Sequence, residues 1–375
     1  MVMLQDKSTK STKSTNDKIQ IHIVSSVKGG CGKTAFSLFK ALEVALELRD
    51  KNLENRRSEV LWIDADFKGT ASRTLFYGKD EKEFTTIHGK STIEKLMNDF
   101  PSLFAERPLA TWNSLCYDGE YVPYTINDYL CEEIQGLDKM IVHGYVYGEQ
   151  KTEGGPAGAT VTGQGCINGM VDFIFSSGRM ADKRVFNYGS GLPTIEIGRF
   201  TYLMRAMMQR ICEKGKTATK AAEEKNDGVS DYKHIVIDMP PGDDAYSSAL
   251  MRTIREFAQE RKDEIEIHLY VLTTGDRGHM DAMLKSVWDT CEKLRKYKYK
   301  EKIHIVLSEI RTGEFDSMDT CKDQIKQYQS EINREFVNDN IKIDVSLCKY
   351  QEEYYKFCRV IDQERFAYEI QEVNA

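Results

Sequence analysis

The sequence lacks any long uncharged apolar run, and this absence excludes a protein that crosses a bilayer by helices. No stretch of about 18 such residues occurs in the chain. The sequence also lacks an excess of basic residues, because 52 Lys and Arg stand against 59 Asp and Glu and give a formal net charge of −7. Such a chain cannot bind nucleic acid over its whole surface, which leaves only a local basic patch open. With 41% hydrophobic residues in 375, the composition is that of a folded globular protein.

Metal-ligand spacings are missing as well. The nine cysteines include no C-x-x-C pair and are odd in number, which disfavours a disulfide framework or a structural zinc site and predicts reduced, buried thiols. The seven histidines show no metal spacing, and those in predicted strands are interpreted as structural: His22, His234, His268 and His304. The N-terminus has no apolar signal region, so we expect a cytoplasmic protein.

The order of predicted elements indicates the fold class. Residues 1–18 are rich in Ser, Thr and Lys and predict a disordered tail. From residue 19 onward, a β-branched strand runs into a glycine-rich turn and an amphipathic helix, and a second strand ends at Asp64. Later strands are predicted near 234–238, 265–272, 303–307 and 341–345. This alternation predicts an α/β fold, a doubly wound sheet of roughly six to eight mostly parallel strands with helices on both faces.

One long segment interrupts this alternation. Residues 76–170 have no regular rhythm, and the seven glycines from Gly148 to Gly169 indicate either a mobile loop or a hairpin with a long tip. The pattern resumes at the strand Val171–Phe175. We therefore expect one domain over 19–375, with an inserted elaboration at about 76–170.

The most informative segment is the loop V-K-G-G-C-G-K-T from Val27 to Thr34, between a predicted strand and a predicted helix. Its glycines let backbone N–H groups surround phosphate oxygens, and the helix N-terminus adds a partial positive charge. Lys33 is placed to reach the β- and γ-phosphates and the Thr34 hydroxyl to bind Mg²⁺. The residues predicted to bind the nucleotide here are Lys28, Gly29, Gly30, Cys31, Gly32, Lys33, Thr34 and Ala35.

Two aspartate motifs also follow predicted strands. Asp64 and Asp66 lie in D-A-D-F-K-G-T, and Asp238 opens D-M-P-P-G, which ends at Gly242. Because phosphoryl transfer depends mainly on positioning, carboxylates at strand ends next to a phosphate loop are suited to holding Mg²⁺ or orienting water.

These three motifs together resemble the ParA/MinD superfamily of P-loop ATPases. K-G-G-x-G-K-T is similar to its deviant phosphate loop, and the aspartate motifs are similar to its switches D-x-D-x-x-G and D-x-P-P-G. A weaker match is the strand from Asp172 to Ser176 and Ser177. The resemblance implies a Mg-ATPase in which ATP bridges a homodimer.

The resemblance also implies individual roles. Lys28 would reach the phosphates of the partner subunit, and Lys33 and Asp66 would complete the catalytic set, with Asp66 orienting the attacking water. Thr34, Asp64 and Asp238 would serve the magnesium ion, and the Gly242 N–H would approach the γ-phosphate. The sequence departs from the family pattern where an adenine-reading Asn is common, since Ser308 and Glu309 stand there.

Partners and alternatives follow from the same comparison. The family implies an ATP-dependent homodimer, a protein that stimulates hydrolysis, and cargo such as plasmid or mobile-element DNA. The basic stretch 293–302, with its interleaved tyrosines, could contact DNA, although a solvated helix end is the favoured interpretation. The acidic residues of 350–375 argue against a membrane-binding helix. A dethiobiotin-synthetase-like ligase is the main alternative, disfavoured by Lys28; an iron–sulfur relative and a tyrosine kinase rank lower.

Overall fold

The structure is a computed structural model. It describes residues 18–48, 58–67, 112–117, 120–132, 136–137, 140–148, 166–176, 186–187, 192–193, 195–213, 232–242, 244–308, 318–336 and 343–348. The predicted tail, apart from Lys18, and the acidic stretch 350–375 lie outside these residues.

Eight strands form one central sheet. The strands of the described chain are β1 (Ile19–Ser26), β2 (Val60–Asp64), β3 (Trp112–Tyr117), β4 (Glu120–Pro123), β5 (Ile141–Gly148), β6 (Cys166–Ile174), β7 (Phe186–Asn187), β8 (Leu192–Pro193), β9 (His234–Asp238), β10 (Ile265–Thr274), β11 (Lys302–Ser308) and β12 (Ile343–Cys348). The sheet order is β12-β11-β10-β1-β9-β2-β6-β5, and only β5 runs antiparallel to its neighbour. The predicted doubly wound, mostly parallel sheet is thereby confirmed.

Helices cover both faces of the sheet. They are α1 (Lys33–Glu47), α2 (Ile126–Leu130), α3 (Ile197–Glu213), α4 (Ala245–Glu260), α5 (Arg277–Tyr297) and α6 (Met318–Glu335). Alternate residues of β1 serve two separate cores, because successive side chains of a strand point to opposite faces. Ile21 and Ile23 pack with the helices α3 to α6, whereas Val24 packs with α1. No helix among the described residues is long and apolar enough to cross a membrane.

The segment predicted as an insertion contributes to the sheet. It contains the β3–β4 hairpin, α2 and β5, and β6 begins inside it at Cys166, five residues before the predicted strand start. β5 forms one edge of the sheet by pairing with β6. The domain boundary at residue 76 stays a prediction.

The sheet brings three strand ends together. β9 lies between β1 and β2, and Asp238 is in register with Val24 on one side and Asp64 on the other. The loops that follow β1, β2 and β9 therefore leave the sheet together at the carboxyl ends of the strands, where ligands of open parallel sheets bind.

Candidate functional site

The loop from Val27 to Gly32 connects β1 to α1 and is open on its outer side. Gly30 and Gly32 adopt φ values of +83° and +76°, a region that L side chains rarely enter. A Cβ placed on Gly29 or Gly30 would meet no atom within 4 Å. The loop therefore leaves room for a group next to its backbone, at the N-terminus of a 15-residue helix whose dipole favours an anion.

Lys33 and Asp238 form a buried ion pair beneath this loop. Lys33 Nζ donates to Asp238 Oδ1 at 3.1 Å, and the two side chains are only 8% and 0% exposed. The pair joins the first residue of α1 to the last residue of β9. The lysine is therefore held at the start of the helix that follows the glycine loop, next to the end of β9.

Asp238 has spare capacity for a cation. Burial raises the pKa of Asp238, opposed by Lys33 and by a hydrogen bond from Thr34, while the nearby Asp66 raises it further. Its second oxygen, Oδ2, is buried without a hydrogen-bond partner. A hard divalent ion such as Mg²⁺ takes oxygen ligands of this kind, so Asp238 and Thr34 fit the magnesium site implied by the family resemblance.

A second carboxylate is fixed beside this pair. Asp64 is fully buried; its Oδ2 accepts from Ser176 Oγ at 2.7 Å, and its Oδ1 accepts from the Asp66 backbone N–H at 3.1 Å. Asp66 itself is 3% exposed. The Ala65 N–H also donates to the Asp238 carbonyl at 2.9 Å, which ties the segment after β2 to the end of β9.

The segment after β9 is tied to β1 through its backbone. The Met239 N–H donates to the Val24 carbonyl and the Gly242 N–H donates to the Ser26 carbonyl, both at 3.0 Å. Gly242 has a φ of +92°, a backbone conformation that glycine adopts readily and residues with a Cβ rarely adopt. In this conformation the Gly242 N–H serves its own chain, so the predicted contact to a γ-phosphate requires the segment to move.

Lys28 is exposed and lies against the first turn of α5 in its own chain. A Cβ placed on Gly278 would be 3.0 Å from Lys28 Nζ and 3.3 Å from Asp276 Oδ1. Asp276 caps α5 by accepting from the His279 N–H at 3.0 Å. Because a helix N-terminus repels a cation, the carboxylate of Asp276 offsets the charge of Lys28 there.

Cys31 is buried in the loop. Its Sγ donates to the Lys28 carbonyl at 3.4 Å and lies 3.7 Å from His279 Nδ1. Burial raises the pKa of Cys31 to about 11, although Lys33 and Lys28 act in the opposite direction. The thiol therefore stays protonated and fills space under the loop, as expected for a small buried residue.

The structure brings most of the predicted site residues together at the carboxyl ends of the central strands. The loop residues 28–34 lie with Asp64, Asp66, Asp238 and Gly242, whereas the Ala35 side chain and Glu309 lie outside the described part. Sequence reasoning did not assign Ser176 a role, although the paired serines after β6 were the available signal. It also missed the contact of the loop with Asp276 and His279, which no local pattern reveals.

The fold and the site define a class: a doubly wound α/β protein of the P-loop NTPase type, with a lysine-containing loop between β1 and α1. No protein-family model matches the sequence, and no curated protein does either. Solved structures do. The chain is similar to McdA of Cyanothece in complex with ATP, with 12% identity, coverage of 96% and 94% of the two chains, and a TM-score of 0.46.

Two further structures show the same similarity. Apo McdA has 14% identity, coverage of 95% of each chain and a TM-score of 0.42. The cell division ATPase MinD of Pyrococcus furiosus has 13% identity, coverage of 94% and 99%, and a TM-score of 0.39. MinD, one of these structures, belongs to the ParA/MinD family that the motifs of this chain resemble.

Proposed function

We propose that this protein is a ParA/MinD-like Mg-ATPase in which ATP controls association of two copies. The observation that carries the proposal is the buried Lys33–Asp238 pair under an open glycine loop, with the second lysine, Lys28, exposed at its rim. A phosphate loop needs only one lysine to bind its own nucleotide. The exposed Lys28 has a binding partner if it contacts the phosphate bound in a second copy of the chain.

The residues divide into three tasks in this proposal. Lys33 and the loop N–H groups bind the β- and γ-phosphates, and Thr34 and Asp238, supported by Asp64, hold Mg²⁺, which would neutralise phosphate charge. Asp66 orients the attacking water. Its backbone is already fixed by Asp64, so only its carboxylate has to align.

Lys28 would link the site to association. It leaves the α5 turn of its own chain and reaches the phosphates bound in the second copy. Hydrolysis removes the γ-phosphate, and the pair of copies separates. In this arrangement ATP is hydrolysed slowly, and hydrolysis changes which partners the protein binds. We include in the proposal a second protein that stimulates hydrolysis and a cargo that the dimer binds.

Sedimentation velocity tests the proposal. Wild type, Lys28→Ala and Asp66→Ala are each run with Mg-ATP, Mg-ADP and no nucleotide, with Lys285→Ala, an exposed lysine of α5, as the matched control. We expect an ATP-dependent dimer in wild type and Lys285→Ala, none in Lys28→Ala, and a persistent dimer in Asp66→Ala because hydrolysis fails.

A monomer under every condition would contradict the proposal. If that monomer also consumed ATP only with a small carboxylate substrate, the ligase alternative would replace it. DNA as cargo is tested separately, by retardation of a nonspecific duplex at several salt concentrations; absence of binding at low salt removes DNA from the proposal.

A further inference from the structure

Two adjoining cavities lie on the sheet face that carries α4 and α5; together they are called the groove. The larger has a volume of about 720 Å³ and lies between α4 and α5, and the smaller, of about 220 Å³, lies at the amino ends of β10 and β11. Arg255 and Tyr299 line both, so the cavities adjoin. Small side chains facing the gap, Ser248 and Ala249 from α4 and Ser286 from α5, leave this space unfilled. Its size is that of a small-molecule site.

The groove is positive in an acidic protein. Its lining includes eight Lys or Arg and four Asp or Glu, although the whole chain has a net charge of −7. Three of the cations are paired: Arg255 with Glu301 at 2.6 Å, Lys302 with Glu266 at 2.9 Å and Arg252 with Glu256 at 3.9 Å. These pairs use three of the four acids, so the remaining lining keeps a cation excess.

Several lysines of the groove have no acidic partner. Among the described residues, the ammonium groups of Lys262, Lys293 and Lys300 make no ion pair and no hydrogen bond, although the Lys262 carbonyl accepts from Lys18 Nζ at 3.0 Å. Lys293 lines the larger cavity, and Lys262 and Lys300 line the smaller one. Three uncompensated ammonium groups around a concave site form a receptor for an anion with several oxygens.

An aromatic surface lies next to these lysines. Tyr297 is 53% exposed, an unusual state for a large ring, and its ring stacks on Tyr299 with centroids 5.6 Å apart and an interplanar angle of 25°. Both rings line the larger cavity, and Tyr299 reaches the smaller one. Stacked tyrosines beside lysines supply the two contacts that nucleotides use, a planar face for the base and positive charge for the phosphate.

We propose that the part of the groove around Tyr297, Lys262 and Lys300 is a second ligand site and that it binds a nucleoside phosphate. The larger cavity also reaches the phosphate-loop site, because Val27 and Gly242 belong to its lining. The base lies against Tyr297, and the phosphate lies toward Lys262 and Lys300. A small ligand is favoured over a nucleic acid because the positive lining is recessed in cavities of ligand size, while the net negative charge of the chain repels a polyanion.

Isothermal titration with AMP and UMP tests this site. A monophosphate lacks the β- and γ-phosphates assigned to Lys33, and the variant Lys33→Met separates binding at the phosphate loop from binding in the groove. We expect saturable binding in wild type and in Lys33→Met, binding weakened about tenfold or more by the double change Lys262→Gln, Lys300→Gln, and binding weakened at least about fivefold by Tyr297→Ala. Lys285→Gln, an exposed lysine that lines neither cavity, is the matched control and should bind as wild type does.

Three results would overturn the proposal. They are no saturable binding at millimolar monophosphate, equal affinity in the groove variants and wild type, or tight binding of an oligothymidylate without binding of monophosphates, which would make the groove a nucleic-acid surface. Circular dichroism and urea unfolding verify that each variant is folded. ATP-dependent sedimentation is measured on the same variants, so failure of the groove and failure of the proposed ATPase are distinguishable.

Discussion

The ion pair of Lys33 with Asp238 shows how one residue can serve both stability and binding. Asp238 is fully buried and Lys33 nearly so, which means that either charge alone would be left in a low-dielectric site. Removing only one of the two charges is therefore costly, because the other charge stays buried without a partner. Energetic coupling between the two residues is therefore the property to measure.

We predict that Asp238→Asn destabilises the fold by about 3 kcal/mol or more, because Lys33 loses its buried partner. Lys33→Met should cost less, since the isolated carboxyl can take up a proton. The double variant should be more stable than the sum of the single changes allows. Urea unfolding of the four proteins checks this, and strictly additive free energies would contradict a direct interaction.

Cys31 allows a second test at the residue scale. Its side chain is 2% exposed and burial raises its pKa to about 11, so little thiolate exists near neutral pH. We predict that iodoacetamide at pH 8 leaves Cys31 largely unmodified in the folded protein and modifies it fully in urea. Peptide mass spectrometry provides the measurement. Rapid labelling of native Cys31 would show that the loop opens often or that the thiol is activated.

At the scale of elements, the sequence predicted those parts whose signal is local. A β-branched strand, a glycine loop and a helix are contiguous, so the position of Lys33 at the start of α1 followed directly. For the glycine-rich stretch before β6 the sequence left a mobile loop and a hairpin open, and the antiparallel edge strand β5 itself was not predicted, because its place is decided by pairing with β6. The same holds for Ser176, whose contact with Asp64 spans 112 positions.

A buried ion pair connects α4 to the residue that precedes β11. Arg255 of α4 donates two hydrogen bonds to Glu301, just before β11, at 2.9 and 2.6 Å, and the side chains are 7% and 0% exposed. We predict that Glu301→Gln lowers the free energy of unfolding by about 3 kcal/mol, because a buried guanidinium loses its counter-charge. Lys233, paired with Glu59 but 44% exposed, gives the comparison: Lys233→Gln should change stability by less than about 1 kcal/mol.

Equal effects of these two substitutions in urea unfolding would contradict this account. They would show that burial of the Arg255–Glu301 pair does not determine its contribution.

At the scale of the whole molecule, the described residues include a polar feature that spans four strands. The histidine ladder consists of His234, His22, His268 and His304, on the adjacent strands β9, β1, β10 and β11. His22 Nε2 lies 3.1 Å from His234 Nδ1, and His268 Nδ1 lies 3.2 Å from His304 Nε2. Each of the four was correctly placed in a strand from sequence, but their alignment could not be seen, because it depends on strand register, which sets His22 opposite His268.

The ladder is built for neutral imidazoles. Burial lowers the pKa of His22 well below its ordinary value, and burial with repulsion from neighbouring lysines lowers the pKa of His234 and of His268 to about 4. The charged groups that face the ladder are Lys40 from α1, Lys233 and Glu59 beside β9, and Lys302 and Glu266 beside His268. The lysines reinforce the effect of burial, and the two glutamates only reduce it.

This ladder makes stability fall in acid. An unfolded histidine has a pKa near 6.5, above the folded value, so the unfolded chain binds protons first as the pH drops. The contribution of each of these histidines to stability is therefore intact above about pH 6.5 and is lost progressively toward pH 4. The full contribution is roughly 3 kcal/mol for a pKa shift from 6.5 to about 4.

We predict a steep fall of the free energy of unfolding between pH 6.5 and 4.5, measured by urea unfolding at half-unit steps. In the double variant His234→Asn, His268→Asn the fall should be much shallower, because two of the proton-binding differences are removed while the amides still form hydrogen bonds. A double variant with the same slope as wild type would place the acid sensitivity in other groups and show that the ladder tolerates charge.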